Sequence, residues 1–281
     1  MPGEAELARL NAVMESSSPI SVTVFGKIPT YGDFVQINCG GPIWQTFDRW
    51  FQNGVIGLRR ELGAEFKPAM AASSPFNFLF TVRDAGGVVA GVVHPSRDSV
   101  GRFTFLIVAS VNQIRPDLTL MAHMPAQLRA FYRDASSLAS TAADGQLTTE
   151  DLGDRALRLP HALEPAQRLE DAQSRNWAIS NQLSEMLRGL RPDQIARFKL
   201  AFRLPLVDAD LEASIGSWMS LCLSMVGDPD ETSPCVFWSN QSDGAVSAIL
   251  AISEPSPNIL LSVTGQSSDI EEIMDLTESS S

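Results

Sequence analysis

Two nearly unbroken apolar runs constrain this chain most: Val88-Val89-Ala90-Gly91-Val92-Val93 and Phe103-Thr104-Phe105-Leu106-Ile107-Val108. A strand with one wet face alternates apolar and polar residues, whereas a strand buried on both faces does not. The runs are therefore expected to be central strands of a sheet covered on both sides, which is an α/β arrangement. Between them stands His94-Pro95-Ser96-Arg97-Asp98-Ser99-Val100-Gly101-Arg102. Pro95 fixes φ and Gly101 permits φ > 0. These two residues are read as the brackets of a sharp loop that holds Arg97, Asp98 and Arg102 at a sheet edge.

The flanking segments supply the rest of such a fold. Val22 and Val24 alternate with Ser21 and Thr23, a strand. It runs into Gly26-Lys27-Ile28-Pro29-Thr30-Tyr31-Gly32-Asp33-Phe34-Val35, a turn punctuated by Pro29 and Gly32. Asp33 there is suited to capping backbone N–H groups or to pairing with an arginine. Trp44, Phe47, Phe51, Val55, Leu58 and Leu62 recur every three or four residues, the clearest amphipathic helix of the chain. Trp44 and Trp50 are read as core residues. Phe76 to Val82 reads as a strand entering the Arg83–Gly87 turn.

Asp117 to Leu138 is helical in pattern, with Pro125 a kink or a second start. Ser136 to Asn176 is polar, and short helices are expected around Thr149–Leu157 and Asn176–Leu190. A strand is expected over Phe198–Leu204, and a helix opening at Asp208. Cys235–Ser239 and Ala245–Ser253 read as a hairpin, and Leu260–Val263 as an edge strand. The organisation expected is an N-terminal helix or arm over 1–18, a single α/β domain over 19–264, and an acidic tail over 265–281. Within the domain, 19–140 forms the main core and 141–264 completes it. In the tail, Ile270, Ile273 and Met274 would share a face if Asp269 capped a turn; otherwise its composition suits an unstructured segment.

Charge narrows the choice of partner. The 21 lysines and arginines all lie at or before Arg203, so the residues beyond it carry the whole of the net charge of −12. A nucleic-acid binder wants the opposite sign, so nucleic acid is not an expected partner. The acidic part reads either as a solvated surface or as a means of meeting a basic partner. No apolar run is long enough for a membrane helix, so no membrane insertion is expected. The start, with Glu4 and Glu6, lacks the pattern of a secretory signal. Cys39, Cys222 and Cys235 are odd in number and widely spaced, as suits reduced thiols in the cytoplasm rather than a disulfide frame or a zinc site.

The motifs of catalysis are missing: there is no G-x-G-x-x-G, P-loop, G-x-S-x-G or H-E-x-x-H, and His94, His123 and His161 are scattered. No cofactor, metal or catalytic residue is expected. One constellation stands out: Lys27, Asp33, His94, Arg97, Asp98 and Arg102, on two loops that each follow a strand. Such loops can meet at one sheet edge. Three readings are open: a salt-bridged pair of turns that sets strand register, an anion or nucleotide site, or a protein-docking surface.

Three blocks of the sequence carry a resemblance. Phe25-Gly26-Lys27-Ile28-Pro29-x-x-Gly32-Asp33-Phe34-Val35, Phe47-Asp48-Arg49-Trp50, and Gly91-Val92-Val93-x-Pro95-Ser96-x-Asp98-x-Val100-Gly101-Arg102 resemble the TagF (ImpM) family of type VI secretion-associated proteins. The likeness runs best from Ser21 to Val111. Thr104 departs from it, because the family often has a proline after the aromatic there; its absence should let the strand pair along its full length. The resemblance implies a three-layer α/β/α sandwich with a mixed central sheet. It also implies a cytoplasmic, non-enzymatic accessory protein that restrains assembly of the secretion machine after translation and is linked to a forkhead-associated scaffold protein. On that footing Arg97, Asp98 and Arg102 are expected to bind the partner, with Lys27 and Asp33 positioning the loop.

Overall fold

The computed structural model describes residues 21–114, 118–160, 201–204, 211–226, 233–240, 246–266 and 273–275. The expected arm over 1–18 and the helix around 176–190 lie outside the described residues. The strands are β1 (Ser21–Gly26), β2 (Val35–Ile37), β3 (Phe76–Val82), β4 (Gly87–Arg97), β5 (Phe103–Asn112), β6 (Ala201–Leu204), β7 (Cys235–Asn240), β8 (Val246–Ala251) and β9 (Ile273–Asp275). They form one sheet in the order β2-β1-β5-β4-β3-β7-β8-β6-β9. Every pairing from β1 to β8 is antiparallel, and β9 alone runs parallel to its neighbour β6. The sheet is thus antiparallel through its centre, and its one parallel pairing lies at the β6–β9 edge. Short turns join β3 to β4 and β4 to β5, and a tight turn can only return the chain antiparallel.

The two apolar runs do occupy the middle of the sheet. Alternate residues of a strand point to opposite faces. Leu79, Val88, Ala90, Val92, Leu106 and Val108 enter one core, and Phe78, Phe80, Val89, Val93, Phe105 and Ile107 enter the other. Helix α1 (Pro42–Leu62) covers the second face, joined by α2 (Phe66–Ala72). Helices α3 (Leu118–Gln127), α4 (Arg129–Ala143), α5 (Thr149–Ala156) and α6 (Leu211–Val226) cover the first. The expected long helix from residue 117 is two helices that break at Leu128, three residues beyond Pro125. Thr148 caps α5 with a reciprocal Asp151 bond, which explains why so short a helix starts where it does.

Trp44 and Trp50 are core residues, as expected. On the α1 face the aromatics stack: Phe47 lies 4.7 Å from Phe78 with the rings at 4°, and Trp50 lies 5.5 Å from Phe237. Leu260–Val263 is not an edge strand. Ile259–Val263 forms a short helix, α7, over α1. A Cβ on Gly54 would collide with Leu260, so that glycine lets α7 settle onto α1. Trp50 Nε1 donates to the Pro255 carbonyl at 2.8 Å just before it. In the tail, Ile273–Asp275 forms strand β9 at the edge of the sheet, while Asp269 and Ile270 lie outside the described residues.

Candidate functional site

The site grows from where β1 ends. Gly26 has φ 142°, and a Cβ there would run into the Phe105 carbonyl of β5. The close pass lets Lys27 N donate to that carbonyl at 3.4 Å, while Ser96 Oγ of β4 donates to the Lys27 carbonyl at 2.7 Å. The chain leaving β1 is thereby stitched to both strands of the β4–β5 hairpin.

Pro95, Ser96 and Arg97 are not loop. They extend β4, with Pro95 opposite Phe105 and Arg97 opposite Phe103. β3 begins at Phe76, opposite Val93, so beyond that point β4 pairs with β5 alone and a proline is tolerated as on an edge strand. Thr104 pairs with Ser96, so the strand is laddered through the position where a proline was expected. The turn proper is Asp98–Arg102. Asp98 N donates to the Arg102 carbonyl at 3.2 Å, Gly101 N donates to the Asp98 carbonyl at 3.0 Å, and Gly101 takes φ 82°.

Asp98 is the hub of this turn. Its carboxylate is fully buried, and four N–H donors converge on it. Lys27 Nζ and Arg102 Nε each reach Oδ2 at 2.6 Å; the backbone N–H groups of Val100 and Arg102 reach Oδ1 at 3.1 and 2.8 Å. Burial favours the neutral acid, but the hydrogen bonds from Lys27 and Arg102 outweigh it and hold the carboxyl well below the usual carboxylate range. Arg102 then spans to the other turn: Nη2 donates to the Gly32 carbonyl at 2.7 Å, and Ser99 N donates to the Tyr31 carbonyl at 3.0 Å. The two corners, distant in sequence, form one rigid rim.

The expected residues divide accordingly. Lys27, Asp98 and Arg102 come together as one network, with Lys27 itself buried. Asp33 stands on the same rim but outside the network; it is exposed, and its carboxylate accepts from Phe34 N at 2.8 Å, the capping role rather than the arginine pair. Arg97 is exposed at the end of β4. His94 is half-buried and contacts the Pro95 carbonyl at 2.7 Å.

Sequence reasoning missed the apolar part of the rim. Tyr31, Phe34 and Val100 are 45%, 38% and 71% exposed. Phe34 stacks on Phe25 at 5.3 Å, and Lys27 Nζ lies 4.8 Å from its ring centre. The available signal was large apolar residues inside turns, where no core periodicity calls for them.

The chemistry of the rim is that of a fixed, mostly neutralised surface. Lys27 is engaged by Asp98, and Arg102 by Asp98 and Gly32, so neither is an open cation for an anion. Burial pushes the Cys39 thiol up to about 11 and the Cys235 thiol higher still, so both are protonated at neutral pH. Among the described residues no group of His, Cys, Asp or Glu is placed to hold a metal ion, and no helix is long and apolar enough to cross a membrane.

Fold and rim together define an α/β protein whose β4–β5 turn and β1 exit are locked into one charged corner. Residues 23–159 match the family model of the TagF N-terminal domain, type VI secretion system-associated. The fold is similar to that of the crystal structure of PA0076 from Pseudomonas aeruginosa PAO1. That likeness has a TM-score of 0.57 and 21% sequence identity, and covers 89% of this chain and 97% of the other. No curated protein matches the sequence.

Proposed function

We propose that this chain is a non-enzymatic, post-translational repressor of type VI secretion system assembly, which works in the cytoplasm by binding and sequestering a forkhead-associated scaffold protein. We take its helix-covered sheet as a three-layer α/β/α sandwich serving as a stiff platform. The observation that carries the reading is the rim itself. Asp98 ties two turns together and leaves Tyr31, Val100 and Arg97 facing solvent, an aromatic-aliphatic-arginine set of the kind that anchors protein interfaces. A preformed surface loses little conformational entropy on docking. The family match supports the secretion context. The acidic residues beyond Arg203 would speed encounter with a basic partner, an effect that weakens with salt.

The test is titration of the purified protein with the forkhead-associated scaffold, next to the triple variant Tyr31→Ala, Arg97→Glu, Val100→Asp. The expected result is affinity reduced by roughly tenfold or more with unchanged circular dichroism. Unchanged affinity in a folded variant would remove the rim from the interface. An anion- or nucleotide-sensing pocket is the rival reading; saturable heat with nucleotides or phosphorylated peptides, abolished by Lys27→Ala, would replace the repressor reading.

A further inference from the structure

A second charged feature lies beside the rim and is absorbed neither by Asp98 nor by the core. Three exposed cations gather about Phe103, the half-buried first residue of β5. Arg97 is its cross-strand partner, so both side chains leave the sheet on the same face. Arg59, in the last turn of α1, donates from Nη2 to the Phe103 carbonyl at 3.3 Å and lies 5.0 Å from the Phe66 ring centre. Lys67 Nζ of α2 lies 5.9 Å from the centre of the Phe103 ring. Three separate elements thus bring positive charge to one spot on a protein whose net charge is −12.

Among the described residues no carboxylate reaches Arg59, Lys67 or Arg97 within ion-pair distance. Glu61 and Glu65 lie on the same stretch of chain and pair with none of them. Two of the cations are held on aromatic faces, which keeps them positioned without neutralising them. A cationic spot left unneutralised in this way complements negative charge.

We propose that the Phe103 face, with Arg59, Lys67 and Arg97 around it, docks an acidic segment of a partner polypeptide. A polypeptide fits better than nucleic acid, because three cations neutralise few phosphates and the remainder of the chain repels a polyanion. The inference deepens the scaffold-binding reading by giving the chemistry of what docks beside the rim, and it rests on that reading for the identity of the partner.

The probe is a fluorescein-labelled dodecamer of glutamate, followed by anisotropy against the full chain at low and at physiological salt. Binding is expected at low salt and should weaken as salt rises. It should fall by roughly tenfold or more in Arg59→Glu plus Lys67→Glu, and much less in the charge-matched control Arg83→Glu plus Arg158→Glu, with circular dichroism unchanged in both. No binding at low salt, or equal loss in the two variants, overturns the inference. Tighter binding of a labelled twelve-nucleotide single-stranded DNA or of phosphatidylserine vesicles overturns it as well, in favour of nucleic acid or membrane. The scaffold protein separates the two readings. If it fails to bind the unaltered chain while the glutamate probe binds, the repressor reading falls and this inference stands. If it binds the unaltered and the Arg59/Lys67 variant alike, this face is not where it docks and only the repressor reading survives.

Discussion

β4 is flanked by two turns of similar outline and very different content. Arg83–Gly86, before it, closes with a 2.9 Å bond from Gly86 N to the Arg83 carbonyl, and its residues Arg83 and Asp84 are exposed. Asp98–Arg102, after it, also ends its reversal on a glycine with positive φ, but its aspartate is buried under two cations and two backbone N–H groups. Backbone geometry alone therefore makes a hairpin in both places. The carboxylate turns the second hairpin into a joint, because it recruits Lys27 from β1's exit and, through Arg102, the Gly32 carbonyl. The first turn merely reverses the chain; the second ties together distant parts of it.

Asp98→Ala should break the comparison most severely. It leaves Lys27 buried without its counter-charge and strips Arg102 of its anchor, so melting temperature should fall by roughly 5–10 °C. Asp84→Ala, at the plain turn, should move it by under about 2 °C. Thermal unfolding of the two variants side by side is the check, and equal shifts would show that the buried carboxylate is not a joint.

A second expectation concerns acid. The carboxyl of Asp98 ionises in the folded protein well below its ordinary value of 3.8. Its contribution is therefore complete above that value and is lost as the pH falls below it toward the folded-state value. The denaturant midpoint of the unaltered protein should drop between about pH 4 and pH 2 more steeply than that of Asp98→Asn, which carries no such carboxylate. Parallel pH curves for the two would contradict the ion network.

The glycines should show the turns behaving alike. Gly86 has φ 62° and Gly101 φ 82°, and nothing lies within 4 Å of a Cβ added to either. Alanine at each should cost about 1 kcal/mol from backbone strain alone. Denaturant melts giving a much larger cost at Gly101 would show that its turn is held by more than the hydrogen bonds described. Smallest of all, Arg97→Ala should leave stability within about 0.5 kcal/mol of the parent, since Arg97 is exposed. Any effect of that substitution should appear in partner binding.

How far the site could be read in advance differed residue by residue. Strands β3, β4 and β5 were legible because unbroken apolar runs have few other uses, and α1 because its Trp44–Leu62 period is strong. The pairing of the Lys27 and Asp98 loops could be raised only as one possibility among three, since residues 71 positions apart meet only once β1 is laid beside β5. The split between Asp33 and Asp98 was not legible at all. Both are aspartates beside a turn, yet one caps its own neighbour in solvent and the other lies buried at the junction. Leu260–Val263 misled for a related reason: a short apolar run suits strand or helix equally, and the segment is helical where Leu260 packs against Gly54.

The sequence by itself determined that a doubly covered sheet forms, which segments supply its middle, and that every cation precedes the acidic C-terminal part, because periodicity and charge are local properties of the chain. Only the tertiary structure decided which carboxylate is buried, which arginines stay free, and which apolar turn residues face water. Those outcomes depend on which strands become neighbours, and hence on how far each side chain is removed from solvent and what then compensates its charge.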